Sequence, residues 1–120
     1  MEFGYEVFHP DVDVVADFYV AVLGFRRDED ASADYVTVVR DGLRVGCSRH
    51  ADAPLIPRRP PAGSEIVLRV DDVRGEHARV VAADWPIADP LQQRPWGSTD
   101  FRVFDPSGQY VRIADSGSAR

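Results

Sequence analysis

The chain has 120 residues, 44% of them hydrophobic, which is enough for one compact core, too short for two independent domains, and inconsistent with a disordered chain. A net charge of −6 excludes the basic face that nucleic acid requires, and no apolar run approaches the ~18 residues of a membrane span. The acidic start Met1-Glu2-Phe3-Gly4-Tyr5-Glu6 and the single Cys47, which reads as a small buried apolar residue, lead us to expect a cytoplasmic protein with no secretory leader and no intrachain disulfide.

Phe3 to Phe8 reads as a first strand, ended by His9-Pro10. Asp11 or Asp13 then caps a helix whose apolar face is Val14, Val15, Phe18, Tyr19, Val22 and Leu23. Gly24 stops it. Three strands follow: Phe25 to Asp28, Tyr35 to Arg40 and Leu43 to Ser48, the last two joined by the hairpin turn Asp41-Gly42. Residues 49–63, with Pro54, Pro57, Pro60, Pro61 and Gly63, read as a stiff linker.

The order then repeats. Glu65 to Val70 is a strand, and Asp71 or Asp72 caps a helix running to about Ala83, with Val73, His77, Val80 and Val81 on one side. A short strand begins at Ile87, and Thr99 to Phe104 pairs with Gln109 to Ala114 around Asp105-Pro106-Ser107-Gly108. This predicts an α+β fold: two tandem βαβββ modules, about 1–48 and 64–115, making one curved mixed-sheet domain over residues 1–120. Each helix covers one sheet face. The other is concave and must meet a module, a second chain or a ligand.

Two stretches carry a resemblance. One is Asp17-Phe18-Tyr19-Val20-Ala21-Val22-Leu23-Gly24-Phe25; the other is Pro95-Trp96-Gly97, then Phe101, then Asp105-Pro106-Ser107-Gly108. Together they make the chain resemble the glyoxalase, bleomycin-resistance and extradiol-dioxygenase superfamily, the vicinal oxygen chelate proteins. The Pro-Trp-Gly stretch looks most like the drug-binding branch.

Enzymes of that superfamily hold a divalent metal with four protein ligands. The resemblance lays those positions on Gly4, on Arg44 or Gly46, on Glu65 and on Arg112. Glycine has no side-chain donor and arginine is a permanent cation. Only Glu65 suits a metal; shifting the first strand by two would add Glu6. We therefore expect no metal, no cofactor and no catalytic group, and instead an ion pair between Glu65 and Arg112. His9, His50 and His77 share no metal-ligand spacing, and neither a nucleophile elbow nor a glycine-rich phosphate loop is present.

The resemblance makes Trp96 the residue that stacks on a planar ligand and Tyr35 a second aromatic contact. Counting alternate residues from the matched positions puts Glu6, Phe8, Glu65, Val67, Arg69, Tyr110 and Arg112 on the concave face, with Arg44 or Gly46. The opposite parity, Phe3, Tyr5, Val7, Ile66, Leu68, Val70, Val111 and Ile113, is apolar and should pack under the helices.

The expected function is sequestration, without conversion, of a small planar aromatic antibiotic, bleomycin-like or another DNA-damaging product. The alternative is a metal-dependent glyoxalase- or dioxygenase-like enzyme. The resemblance also implies a homodimer whose two chains complete each cleft. The drug-binding branch exchanges its first strand at a proline, and that position here is Tyr5.

Overall fold

The computed structural model describes Met1 and residues 3–117. They divide into two compact units, Met1–Ile56 and Pro57 onward, and the boundary falls inside the proline-rich stretch 49–63. Each unit is one helix on one four-stranded mixed sheet, so the predicted βαβββ order is present twice.

In the first unit the elements are β1 (Tyr5–His9), α1 (Val12–Ala21), β2 (Arg26–Arg27), β3 (Tyr35–Arg40) and β4 (Leu43–Arg49). The sheet order is β1-β4-β3-β2, with β1 parallel to β4 and the other pairs antiparallel. Asp11 is the cap of α1: its Oδ1 accepts from the Asp13 amide at 3.0 Å. The His9 Nδ1 accepts from the Asp11 amide at 2.9 Å, which gives that histidine a local structural task. Gly24 leaves the helix at φ 74°, a conformation glycine adopts without strain. Val15, Ala16, Phe18, Tyr19, Leu23 and Phe25 pack with Val7, Val36, Val38, Val45 and Cys47, all buried. Tyr19 meets Phe18 and Phe25 edge-on at 5.1 and 5.3 Å.

The second unit holds β5 (Glu65–Val70), α2 (Val73–Ala82), β6 (Asp89–Gln93), β7 (Thr99–Phe104) and β8 (Tyr110–Asp115), in sheet order β5-β8-β7-β6. Asp72 caps α2 through the Gly75 amide at 3.0 Å. Val73 and Val80 are buried on the helix side with Phe101, Val103, Val111 and Ile113, and His77 meets the Phe101 ring edge-on at 5.0 Å. The β7–β8 turn is built on buried Asp105, whose Oδ1 accepts from the Ser107 amide and hydroxyl and from the Gln109 amide.

Several expectations need correction. Phe3 does not lie under α1: the first strand starts two residues later, and Phe3 is 83% exposed. Val14 and Val81 are also exposed, because their neighbours Val15 and Val80 are the buried residues and one step along a helix turns a side chain by about 100°. The second strand shrinks to Arg26–Arg27. The sixth begins at Asp89 rather than Ile87, since Asp84 turns the chain at φ 58° and Pro86 has no amide for a ladder.

Candidate functional site

Alternation along β1 buries Val7 and His9 and leaves Glu6 and Phe8 exposed, on the sheet face opposite α1. The register sets Glu6 beside Gly46 of β4, and Gly46 beside Thr37 of β3. Tyr35, two residues before Thr37, shares that face. Its hydroxyl donates to the Glu6 carboxylate, 2.9 Å from each oxygen. The bond spans three strands and lies across Gly46. A Cβ there would overlap the Glu6 carboxylate and the Tyr35 hydroxyl, so the missing side chain is what lets the two meet. Burial, and then the neighbouring Glu6, hold the Tyr35 phenol above its ordinary pKa. Phe8 is 48% exposed, Tyr35 38%, and the Phe8 ring stands edge-on to His50 at 5.2 Å.

The corresponding face of the second unit carries a connected polar network. Arg112 Nη2 lies 3.1 Å from Glu65 Oε1, so the expected ion pair is present, with the Arg112 side chain buried. Arg112 also approaches Asp100 at 4.0 Å. Asp100 is 0% exposed and is the centre of the network. Its Oδ1 accepts from Arg94 Nε at 2.7 Å and from Arg102 Nε at 3.3 Å, and its Oδ2 accepts from Arg102 Nη2 at 3.3 Å. Arg102 then donates to the Tyr110 hydroxyl at 3.4 Å. Tyr110 donates to Asp89, and Asp89 pairs with Arg59 at 2.6 Å. The Arg59 guanidinium lies over the Phe104 and Tyr110 rings.

Burial is tolerated here because each charge has an opposite neighbour. Burial opposes the Arg102 charge, but Tyr110 and Asp100 outweigh it and raise its pKa. Burial and the Asp89 bond raise the Tyr110 phenol. Burial also pushes Asp89 upward, but Tyr110 and Arg59 prevail and hold its carboxyl below the usual value.

Trp96 belongs to the β6–β7 loop and is 42% exposed. Its Nε1 donates to Ser98 Oγ at 2.9 Å. The loop is closed by the Arg94 amide on the Ser98 carbonyl at 2.7 Å and the Gly97 amide on the Arg94 carbonyl at 2.9 Å. The Arg94 side chain runs to Asp100, so the loop presenting Trp96 is tied to the buried network. Arg69 is exposed on β5 and does not join it. The structure thus gathers Glu6, Tyr35 and Phe8 on one unit, and Glu65, Arg112 and Tyr110 on the other.

Asp100, Arg94, Arg102, Asp89 and Arg59 were missing from the sequence reading. Arg102 and Arg112 sit directly opposite each other, and such a like-charge pair demands an acidic neighbour. The alternation Asp100, Arg102 on β7 would have supplied the signal once the register was known. Two cavities also escaped notice: one of about 420 Å³ bordered by Phe3, Arg26 and the β3–β4 turn, and one of about 370 Å³ between Trp85, Pro86 and Phe104. The first is lined by Arg44, one of the two alternatives expected on the open face, and the second contains no expected contact residue.

The donor set does not fit the superfamily's divalent metal. Gly46 offers no atom, and its place is covered by the Glu6–Tyr35 bond. Arg112 sets a guanidinium against Glu65, where a metal would need a neutral or anionic ligand. Among the described residues, no three His, Cys, Asp or Glu side chains are grouped to hold a metal ion. None of the described helices is long and apolar enough to cross a membrane.

Residues 4–113 match the family described as the Glyoxalase/Bleomycin resistance protein/Dioxygenase superfamily. No curated protein sequence matches the chain. Among solved structures, TioX from Micromonospora sp. ML1 is similar at 23% identity and a TM-score of 0.76, over 97% of this chain and 98% of that one. The bleomycin-binding protein complexed with bleomycin is similar at 21% and 0.71, over 96% and 98%. Lactoylglutathione lyase from Agrobacterium tumefaciens is similar at 18% and 0.70, over 96% and 92%. At these identities the likeness shows the fold, which is shared by a binder and an enzyme.

Proposed function

Given that the chain belongs to the Glyoxalase/Bleomycin resistance protein/Dioxygenase superfamily, we propose that it binds a small planar aromatic antibiotic, of the bleomycin kind or another DNA-damaging product, and releases it unchanged. One observation carries the reading: Glu65, the one metal-suited residue at the matched positions, is committed to the buried Arg112 guanidinium at 3.1 Å. An exchangeable metal-bound water or substrate oxygen, the usual source of this superfamily's chemistry, has no support there.

The exposed rings of Phe8, Tyr35 and Trp96 support stacking on a flat guest. Glu6, Glu65 and Arg69 supply the polar contacts, while Arg112 and Tyr110, both buried, act behind them by holding Glu65 and Asp89 in place. Residues 1–120 act as one domain, working in the cytoplasm as a homodimer with two equivalent clefts. Among the similar structures, one is of a bleomycin-binding protein with bleomycin and another of a bleomycin resistance determinant, which favours a drug of that class.

The test is titration of intrinsic fluorescence with bleomycin, followed by mass spectrometry of the recovered drug. Saturable quenching, weakened by Trp96→Ala, with drug of unaltered mass, is the expected result. No saturable quenching, or a chemically changed drug, overturns it.

A further inference from the structure

The open face of the first unit holds a carboxylate with one hydrogen-bond donor among the described residues, the Tyr35 hydroxyl. A single phenolic proton satisfies a small part of a carboxylate's acceptor capacity, which is about four lone-pair sites. No cation among the described residues pairs with Glu6: in the same unit Arg44 is taken by Asp28 at 2.8 Å and Arg27 by Asp13 and Asp17.

The carboxylate is nevertheless held in place. Tyr35 fixes it over the Gly46 backbone, and Gly46 leaves just the room it needs. Phe8 follows on the same side of β1, its ring set against His50. An anion pinned beside the rings of Tyr35 and Phe8, with acceptor capacity left over, has the chemistry of a receptor for an organic cation. The carboxylate gives charge-assisted hydrogen bonds and the ring faces give cation–π attraction.

We infer that Glu6, Tyr35 and Phe8 form a subsite for a positively charged ammonium, amidinium or guanidinium group on an aromatic ligand. The inference rests on the binding reading above and narrows it to cationic ligands. Gly46 is a positioning residue for this subsite, since any side chain there drives Glu6 and Tyr35 apart.

The test uses the intact chain and two three-ring dyes of similar size, proflavine (a cation at neutral pH) and acridone (neutral), with binding read as dye fluorescence anisotropy. Wild type should bind proflavine about tenfold tighter than acridone, a difference that corresponds to about 1.4 kcal/mol. Glu6→Gln should remove that preference by weakening proflavine alone. Tyr35→Phe keeps the ring but frees the carboxylate, and should weaken proflavine by about threefold through lost preorganisation. Added salt should weaken proflavine binding to wild type and not to Glu6→Gln. Circular dichroism of both variants, each altered at an exposed position, monitors folding.

Equal affinity of wild type for the two dyes, or a Glu6→Gln effect of the same size on both, overturns the cationic subsite while leaving a general aromatic binder standing. Failure of both dyes and of bleomycin to bind overturns the subsite together with the binding reading.

Discussion

Replacing Asp100 by asparagine should destabilise the protein by about 3 kcal/mol. The side chain is fully buried and keeps its shape in this substitution, so packing is conserved and the charge alone is lost. Three guanidinium groups, of Arg94, Arg102 and Arg112, lie 2.7, 3.3 and 4.0 Å from its oxygens. Removing one partner of a buried ion pair costs about 3–5 kcal/mol, because the remaining charge is stranded. Here Arg112 retains Glu65, and Arg102 retains the Tyr110 hydroxyl, which puts the effect at the lower end of that range. Arg94 loses its charged partner, and with it the brace of the loop that carries Trp96.

Urea unfolding monitored by far-ultraviolet circular dichroism measures the effect. With a slope of about 2 kcal/mol/M the midpoint should fall by about 1.5 M with the slope unchanged. Bleomycin affinity should fall in the same variant. A loss below about 1 kcal/mol, within the range of an exposed ion pair, would refute the view that Asp100 organises this face.

Gly46→Ala should fold, since the groups its Cβ meets are the ends of flexible side chains. It should lose about 1 kcal/mol by urea unfolding and lose the proflavine preference in the anisotropy assay. Trp96→Ala should leave the unfolding midpoint within about 0.5 kcal/mol of wild type, because the ring is exposed, yet weaken bleomycin binding in calorimetric titration. Tyr35 and Tyr110 should ionise above the ordinary 10, visible as a late phase in the phenolate absorbance titration that Tyr110→Phe diminishes. Because a raised folded pKa means that the native state keeps its proton longer than the unfolded chain, stability should be complete below pH 10 and fall above it. Tyr110→Phe should flatten that fall. Asp89 behaves in the opposite sense: its lowered pKa stabilises the fold above 3.8 and is lost as pH falls further. Asp89→Asn should therefore flatten the acid limb of the stability curve.

Strands β3 and β5 and helix α1 were legible because valine alternation and three-to-four spacing are local signals, each backed by a turn or a cap. The Glu65–Arg112 pair was expected because the resemblance laid two of the superfamily's ligand positions on those residues, and alternation along β5 and β8 keeps both on one sheet face. What stayed hidden depends on register. A second strand starting at Gln109 would pair Phe104 with Gln109 and Arg102 with Val111. Instead the Gln109 amide bonds to Asp105 Oδ1, β8 starts one residue later, and Phe104 pairs with Tyr110. That single step moves Arg102 and Asp100 onto the face of Arg112 and creates the network around Asp100. The Glu6–Tyr35 bond was hidden for a related reason. Both residues were expected to contact a ligand, but that they meet depends on Gly46 lying between them, which sequence spacing does not reveal.

Native mass spectrometry of the protein, purified without added metal and then mixed with metal-free bleomycin, tests the central claim most directly. We expect the protein mass without any bound ion, and a bleomycin adduct from which the drug is recovered at its original mass. A transition ion held by the drug-free protein at one per chain and lost on Glu65→Gln, or a drug of altered mass, would contradict the account.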